Sequence, residues 1–148
     1  MTRTKLEMPA SFGFSTPLPV RIGDINYGGH MGNDALLSLL QEARLQFLAQ
    51  RGFSEADAGG AGLIMTEAVV LYKAQAFHGD VLVIQLQIGE WSRCGFDLFY
   101  RVVNQKTQGL VAEARTGMAF FDYHQHRLVR APEAFKAAMR EQGQHEAP

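Results

Sequence analysis

One long amphipathic stretch, followed by a nearly unbroken series of period-two segments, limits what this chain can fold into. From Asn33 to about Ala49 the sequence NDALLSLLQEARLQFLA carries apolar residues at 36, 37, 39, 40, 43, 47 and 48, a broad stripe at helical spacing that no proline interrupts. Such a helix of ~17 residues is about 25 Å long, and a stripe this wide needs a large apolar surface to lie on. A sheet is the natural candidate, and the chain supplies one where its period changes to two. LIMTEAVVLYKAQAF (63 to 77), VLVIQLQIGEW (81 to 91), FDLFYRVVN (96 to 104) and LVAEARTGMAFFDY (110 to 123) read as strands rich in Val, Ile, Phe and Tyr. The second is the clearest, with Leu82, Ile84, Leu86 and Ile88 on one face and Gln85 and Gln87 on the other. HGD, SRCG and QKTQG between them are short enough for antiparallel hairpins. The expected class is therefore α+β: a long central helix wrapped by an antiparallel sheet of five or six strands.

The flanking segments complete this outline. Residues 1 to 12 read as a polar arm leading into FSTPLPVRI, whose prolines suit an edge strand. GDINYGGHMGND is a glycine-crowded loop ending in Asn33, a good N-cap, and Gly52 is placed to end the helix. Residues 124 to 130 can add a short strand, and Pro132 reads as the first residue of a terminal amphipathic helix. Residues 143 to 148 are expected to fray. In the 63 to 77 strand both parities are apolar, Leu63, Met65, Val69 and Leu71 against Ile64, Ala68, Val70 and Tyr72. Self-association through the sheet would bury that excess, so a homodimer, extensible to a homotetramer, is expected.

At 148 residues the chain makes one domain. Fourteen Lys and Arg against 15 Asp and Glu, with no basic tract, argue against a partner bound by phosphate neutralisation, whether nucleic acid or membrane surface. The single cysteine, Cys94, has no internal partner and fits a reducing compartment. Apolar runs fall short of the roughly 18 residues that cross a bilayer, and MTRTKLEMPA has no apolar signal core. A soluble cytoplasmic protein is expected. The sequence has no Gly-x-Gly-x-x-Gly, no Walker loop and no Gly-x-Ser-x-Gly elbow, and His124 and His126 in DYHQHR lack a third ligand at metal spacing, so no metal or cofactor is expected.

Two blocks, VRIGDINYGGHMGNDALLSLLQEARLQFL and FHGDVLVIQLQIGEWSRCGFDLFYRV, stand in an order and at a separation that resemble the hot-dog fold, in its 4-hydroxybenzoyl-CoA thioesterase-like branch. The first is similar to that family's strand ending in Arg-x-x-Asp, Gly-His loop, Asn and helix bearing Glu-Ala-Arg. The second resembles its Gly-Asp strand start and Glu-Trp-x-Arg hairpin. The resemblance covers about residues 18 to 131. It implies an acyl-CoA thioesterase that hydrolyses an acyl or aryl thioester, of CoA or of a carrier protein, to the free acid.

Thioester hydrolysis needs donors for the developing oxyanion and a carboxylate to attack or to activate water. The resemblance puts the oxyanion donor on the backbone N–H of Asn33, at the positive end of the helix. It also puts the loop carboxylate two places beyond Asp24, where this sequence has Asn26. An amide can hold water but cannot take its proton, so another group must. Glu42, nine residues along the helix and sharing a face with Ala35 and Ser38, resembles the helix carboxylate of other hot-dog thioesterases; its alternative is a paired surface glutamate, with Arg44 or Arg115 as partner. Asp24 reads as a tie for the loop backbone or part of the substrate site, and Asp34 as a first-turn acid favoured by the helix dipole. His30 is a candidate base or donor, Tyr27 a candidate wall of the acyl groove, and Arg93 a candidate grip on a CoA phosphate, with Lys73 or Arg127 in support. Two other readings share the fold: a 3-hydroxyacyl or enoyl thioester hydratase-dehydratase using His30 and Glu42, and a non-catalytic acyl-CoA binder, suggested by Asn26.

Overall fold

The structure, a computed structural model, describes residues 3–145. Strand β1 (Phe14–Pro19) leads through one 3-10 turn (Ile22–Asp24) into helix α1 (Asn33–Gln50). Four long strands follow, β2 (Gly62–Tyr72), β3 (Val81–Ser92), β4 (Gly95–Asn104) and β5 (Leu110–Asp122), then the short β6 (Arg127–Leu128) and helix α2 (Glu133–His145). The sheet order is β1-β3-β4-β5-β2, every pairing is antiparallel, and β6 adds to β5. β1 is an edge strand, as its prolines require, and β2 is the other edge.

The sheet curls around α1 because each presents an apolar face to the other. Leu36, Leu40, Ala43 and Phe47 are buried on the helix, and Leu82, Ile84, Leu86, Leu98 and Val102 on the sheet. Gly52, at φ 82°, turns the chain out of the helix, with its N–H donating to the Ala49 carbonyl and that of Phe53 to Leu48. At the far end α2 inserts Phe135 among Phe53, Trp91, Phe96 and Phe120. The arm runs across the outer face of the sheet, where Leu6 and Pro9 line a hollow with Val69, Phe99 and Arg115 and where Arg101 stacks on Phe12.

The structure departs from the sequence reading at several points. β2 stops at Tyr72 rather than 77; Lys73 and Ala74 both donate their N–H to the Val111 carbonyl, which takes the chain out of the ladder. A bulge at Thr66, between Met65 and Glu67, switches the parity of β2, so its inward set is Leu63, Met65, Ala68, Val70 and Tyr72. That switch explains part of the two-sided apolar pattern without any partner. Gly32, not Asn33, is the N-cap of α1, and Asn33 is its first helical residue. Pro132 lies one place before α2, its carbonyl accepting the Lys136 N–H. α2 continues to His145, through the first residues of the expected frayed tail, and 146 to 148 lie outside the described residues, as do 1 and 2 of the arm. No helix among the described residues is long and apolar enough to cross a membrane.

Candidate active site

The loop from Ile25 to Met31 is a closed turn pinned at its base by an isolated bridge between those two residues. The Asn26 N–H donates to the His30 carbonyl, and Asn26 Oδ1 accepts from the Gly28 N–H at 2.9 Å, the self-bonding for which asparagine is favoured in turns. Gly29, at φ 84°, lets the turn close. His30 Nδ1 lies 3.1 Å from the Met31 carbonyl. A carbonyl only accepts, so in this contact Nδ1 carries the proton. Nε2 packs over Gly28 beside Asn26 Oδ1.

The loop delivers the chain to the start of α1, where the backbone donors can be accounted for one by one. Gly32 N–H donates to the Asp24 carbonyl, Asp34 N–H to Asn33 Oδ1, and Ala35 and Leu36 to the Gly32 carbonyl. The Asn33 N–H has no acceptor among the described residues. On the opposite side the Tyr72 hydroxyl donates to the Asn33 carbonyl at 2.7 Å, tying the end of β2 to the first turn of the helix. Burial, and then the neighbouring Asp34 carboxylate, hold the Tyr72 phenol above its ordinary range, so it stays a donor at neutral pH.

These groups face a cavity of about 350 Å³ lined by His30 to Asn33, Leu36, Tyr72 to Ala76 and Val111. Its floor is apolar, with Met31, Leu36, Ala76 and Val111 all buried, and Lys73 is its cation. The stretch 73 to 76 that leaves the sheet early is thus one wall of the site, held by the Ala76 carbonyl accepting from Met31 N–H. Tyr72 and Gln75 are hidden in the sequence as the tail of a strand, whereas Lys73 is marked there only as a cation in support of Arg93. The premature stop of that strand has no local signal apart from the absence of a clean alternation.

Of the residues singled out in the sequence, His30, Asn33 and Lys73 line this cavity, and Asn26 stands behind it in the loop, beside the His30 ring over Gly28. Asp24 is buried, and its Oδ2 accepts from Arg21 N–H at 2.8 Å and pairs with the Arg21 guanidinium, so its carboxylate holds the 3-10 turn. Tyr27 projects wholly into solvent. Arg93 is exposed in the two-residue turn between β3 and β4, away from the cavity lining. Glu42 lies about two and a half turns beyond Asn33, hence on the opposite side of the helix. Its Oε2 accepts from Gln46, which in turn accepts from Thr16 on β1, the edge away from β2. Neither suggested arginine partner meets it: Arg44 pairs with Glu55, and Arg115 with Glu67 and Asp97. The His30 and Glu42 pair on which a hydratase would rest is not assembled within the protomer.

A helix clasped by a curled antiparallel sheet, with an unpaired amide and a cavity at the helix start, defines the hot-dog class. Residues 20–139 match the thioesterase-like superfamily. The chain belongs to that family, and its class of activity is thioester hydrolysis. Solved structures agree in fold. A 1,4-dihydroxy-2-naphthoyl-CoA thioesterase from Synechocystis superposes with a TM-score of 0.79 at 21% identity, over 86% of this chain and 96% of that one. A Staphylococcus aureus protein solved in complex with CoA gives 0.81 at 18% identity, over 97% and 91%. A DHNA-CoA thioesterase from the same organism gives 0.77 at 19%, over 90% and 95%. A comparison with curated proteins gave no match.

Proposed function

We propose that this protein is an acyl-CoA thioesterase whose substrate carbonyl is held by the Asn33 N–H at the start of α1. One observation carries the reading: in a first turn whose other donors are spoken for, that amide has no acceptor among the described residues, and Asn33 lines the cavity. An amide at a helix N-terminus is a preorganised donor for an oxygen that gains negative charge as water attacks the adjacent carbon. The apolar floor of Met31, Leu36, Ala76 and Val111 receives the acyl group. Lys73, in the cavity lining, would meet a phosphate of the CoA portion, and His30, with Asn26 beside it in the loop, would hold water. CoA as the carrier is supported by the CoA bound to the Staphylococcus aureus neighbour and by the CoA thioesters named for the others.

A homodimer through the β2 edge belongs to the same proposal. Met65 and Tyr72 point to the inner side of the sheet yet stay about half exposed, at 47% and 52%, and Leu37 on α1, which lines a hollow with Met65, is 38% exposed. A second copy set against this edge would cover them and close the open side of the cavity.

The test uses the rule that proline is accepted at the first helical position. Gly32, at φ −69° and ψ 151°, already has the conformation that a residue before proline needs. Asn33→Pro therefore deletes the N–H and leaves the helix in place, whereas Asn33→Ala deletes only the side chain. Thiol release from acyl-CoAs is expected to be about 10²–10³-fold slower in Asn33→Pro than in Asn33→Ala. Equal rates in the two would remove the amide from the mechanism. Saturable acyl-CoA binding without thiol release in the wild type would make the protein a binder instead.

A further inference from the structure

Asn26 leaves the loop without a carboxylate, and the cavity has none among its lining residues. Water that attacks a thioester must nevertheless give up a proton. The acids nearest the loop and the helix are mostly committed elsewhere: Asp24 to Arg21, Glu42 to Gln46, and Asp80 to the Phe77 N–H. Asp34 is different. Its carboxylate makes no hydrogen bond or ion pair among the described residues. It folds back over Gly32, the residue bonded to the Asn33 nitrogen. A Cβ placed on Gly32 would lie 2.6 Å from Asp34 Oδ1 and 3.6 Å from the Asn26 Cβ. The free carboxylate and the Asn26 side chain thus flank one glycine, beside the unpaired amide. The room they share exists because residue 32 has no side chain. His30 lines the cavity, but its Nε2 is turned over Gly28 beside Asn26 Oδ1 in the loop.

We infer that Asp34 is the general base of this site, taking the position in the chemistry that Asn26 cannot fill. The inference rests on the thioesterase reading and adds the group that moves the proton. As the water oxygen bonds the carbonyl carbon, a water proton passes to the Asp34 carboxylate, and the carbonyl π pair moves onto the oxygen held by Asn33 N–H. When that pair returns, the carbon–sulfur bond breaks with its electrons going to sulfur. The Asp34 carboxyl then returns the proton to the thiolate. The products are the carboxylic acid and free CoA thiol, and Asp34 ends ionised as it began.

Two substitutions test this in different ways. Asp34→Asn removes the acceptor, and kcat is expected to fall by about 10²–10⁴-fold with little change in KM. The acid limb of the kcat/KM pH profile, where the carboxylate takes up its proton, should vanish with it. The titratable groups that line the cavity, His30, Tyr72 and Lys73, are intact in this variant, so the difference between the two profiles isolates the limb that belongs to Asp34. Gly32→Ala keeps the carboxylate and a backbone that alanine adopts freely, but its methyl displaces Oδ1; kcat should drop by at least about tenfold, as misplaced groups do. An acid that merely favours the helix start would shift the melting temperature of Asp34→Asn and leave the limb in place. Full rate in Asp34→Asn, or a limb unchanged from wild type, overturns the assignment while the thioesterase reading stands. A wild type that releases no thiol from any acyl-CoA overturns both.

Discussion

Arg44 shows how much a single buried charge demands of its surroundings. It sits on the face of α1 that packs against the sheet, 6% exposed, where an unpaired guanidinium would be strongly destabilising. The Glu55 carboxylate lies 3.4 Å from its Nε, and its Nη1 donates to the Tyr100 hydroxyl. Because arginine only donates, the Tyr100 oxygen accepts there and its own proton goes to Thr116 Oγ1 at 2.7 Å. Tyr100 is fully buried, and that burial raises its phenol above 10.0, more than the neighbouring Arg44 lowers it. The stability this contributes is fully present below pH 10 and is lost as pH rises towards the folded value, because the unfolded chain then binds fewer protons than the native one. Tyr100→Phe strands Arg44 and Thr116 at neutral pH, with an expected cost of about 1–3 kcal/mol. Urea unfolding at pH 7 and near pH 10.5 should show the gap between wild type and variant narrowing at the higher pH. A gap that stays constant or widens would contradict the burial account.

At the scale of elements, α2 is fixed by one side chain. Phe135 is fully buried and meets Trp91, Phe96, Phe120 and Phe53, with ring centroids 5.0 to 6.1 Å apart. Phe135→Ala should cost about 3–5 kcal/mol, as a cavity among rings that cannot collapse, read as a lower urea midpoint with α2 exchanging its amide protons first. The amphipathic pattern announced this helix, as it did α1, β3 and β4, because burial on one face writes its period into the sequence. β2 was misjudged at both levels. A bulge at Thr66 reverses parity without any special residue type, and the departure after Tyr72 is set by the Val111 carbonyl, a partner far along the chain. The candidate site was legible to the same extent. Asn26, His30 and Asn33 stand in one glycine-marked loop. The wall from Tyr72 to Ala76 arrives by tertiary contact, and the side of the helix on which Glu42 falls follows from rotation about its axis and not from its distance along the chain.

At the scale of the whole molecule, the two edges of the sheet are treated differently. β1 is blunted by Pro17 and Pro19, which lack the N–H that another strand would need. β2 runs eleven residues with no proline, and Met65, Ala68 and Tyr72 lie exposed on the side that carries the cavity. An edge left open beside the proposed active site is what a second protomer would complete. A two-fold contact is isologous, so any substitution in it enters twice. Met65→Glu places a carboxylate in the proposed contact from each copy, with only solvent to gain in the isolated chain, where this side chain is already about half exposed. Sedimentation should then show the wild type at twice the chain mass and Met65→Glu at the monomer mass, with far-ultraviolet dichroism unchanged. Thioester hydrolysis should fall with the dimer fraction and recover as protein concentration is raised. A wild type that sediments at the mass of one chain while hydrolysing acyl-CoA would show instead that the cavity at the start of α1 works without a partner, and that the exposed margin of β2 serves some other contact.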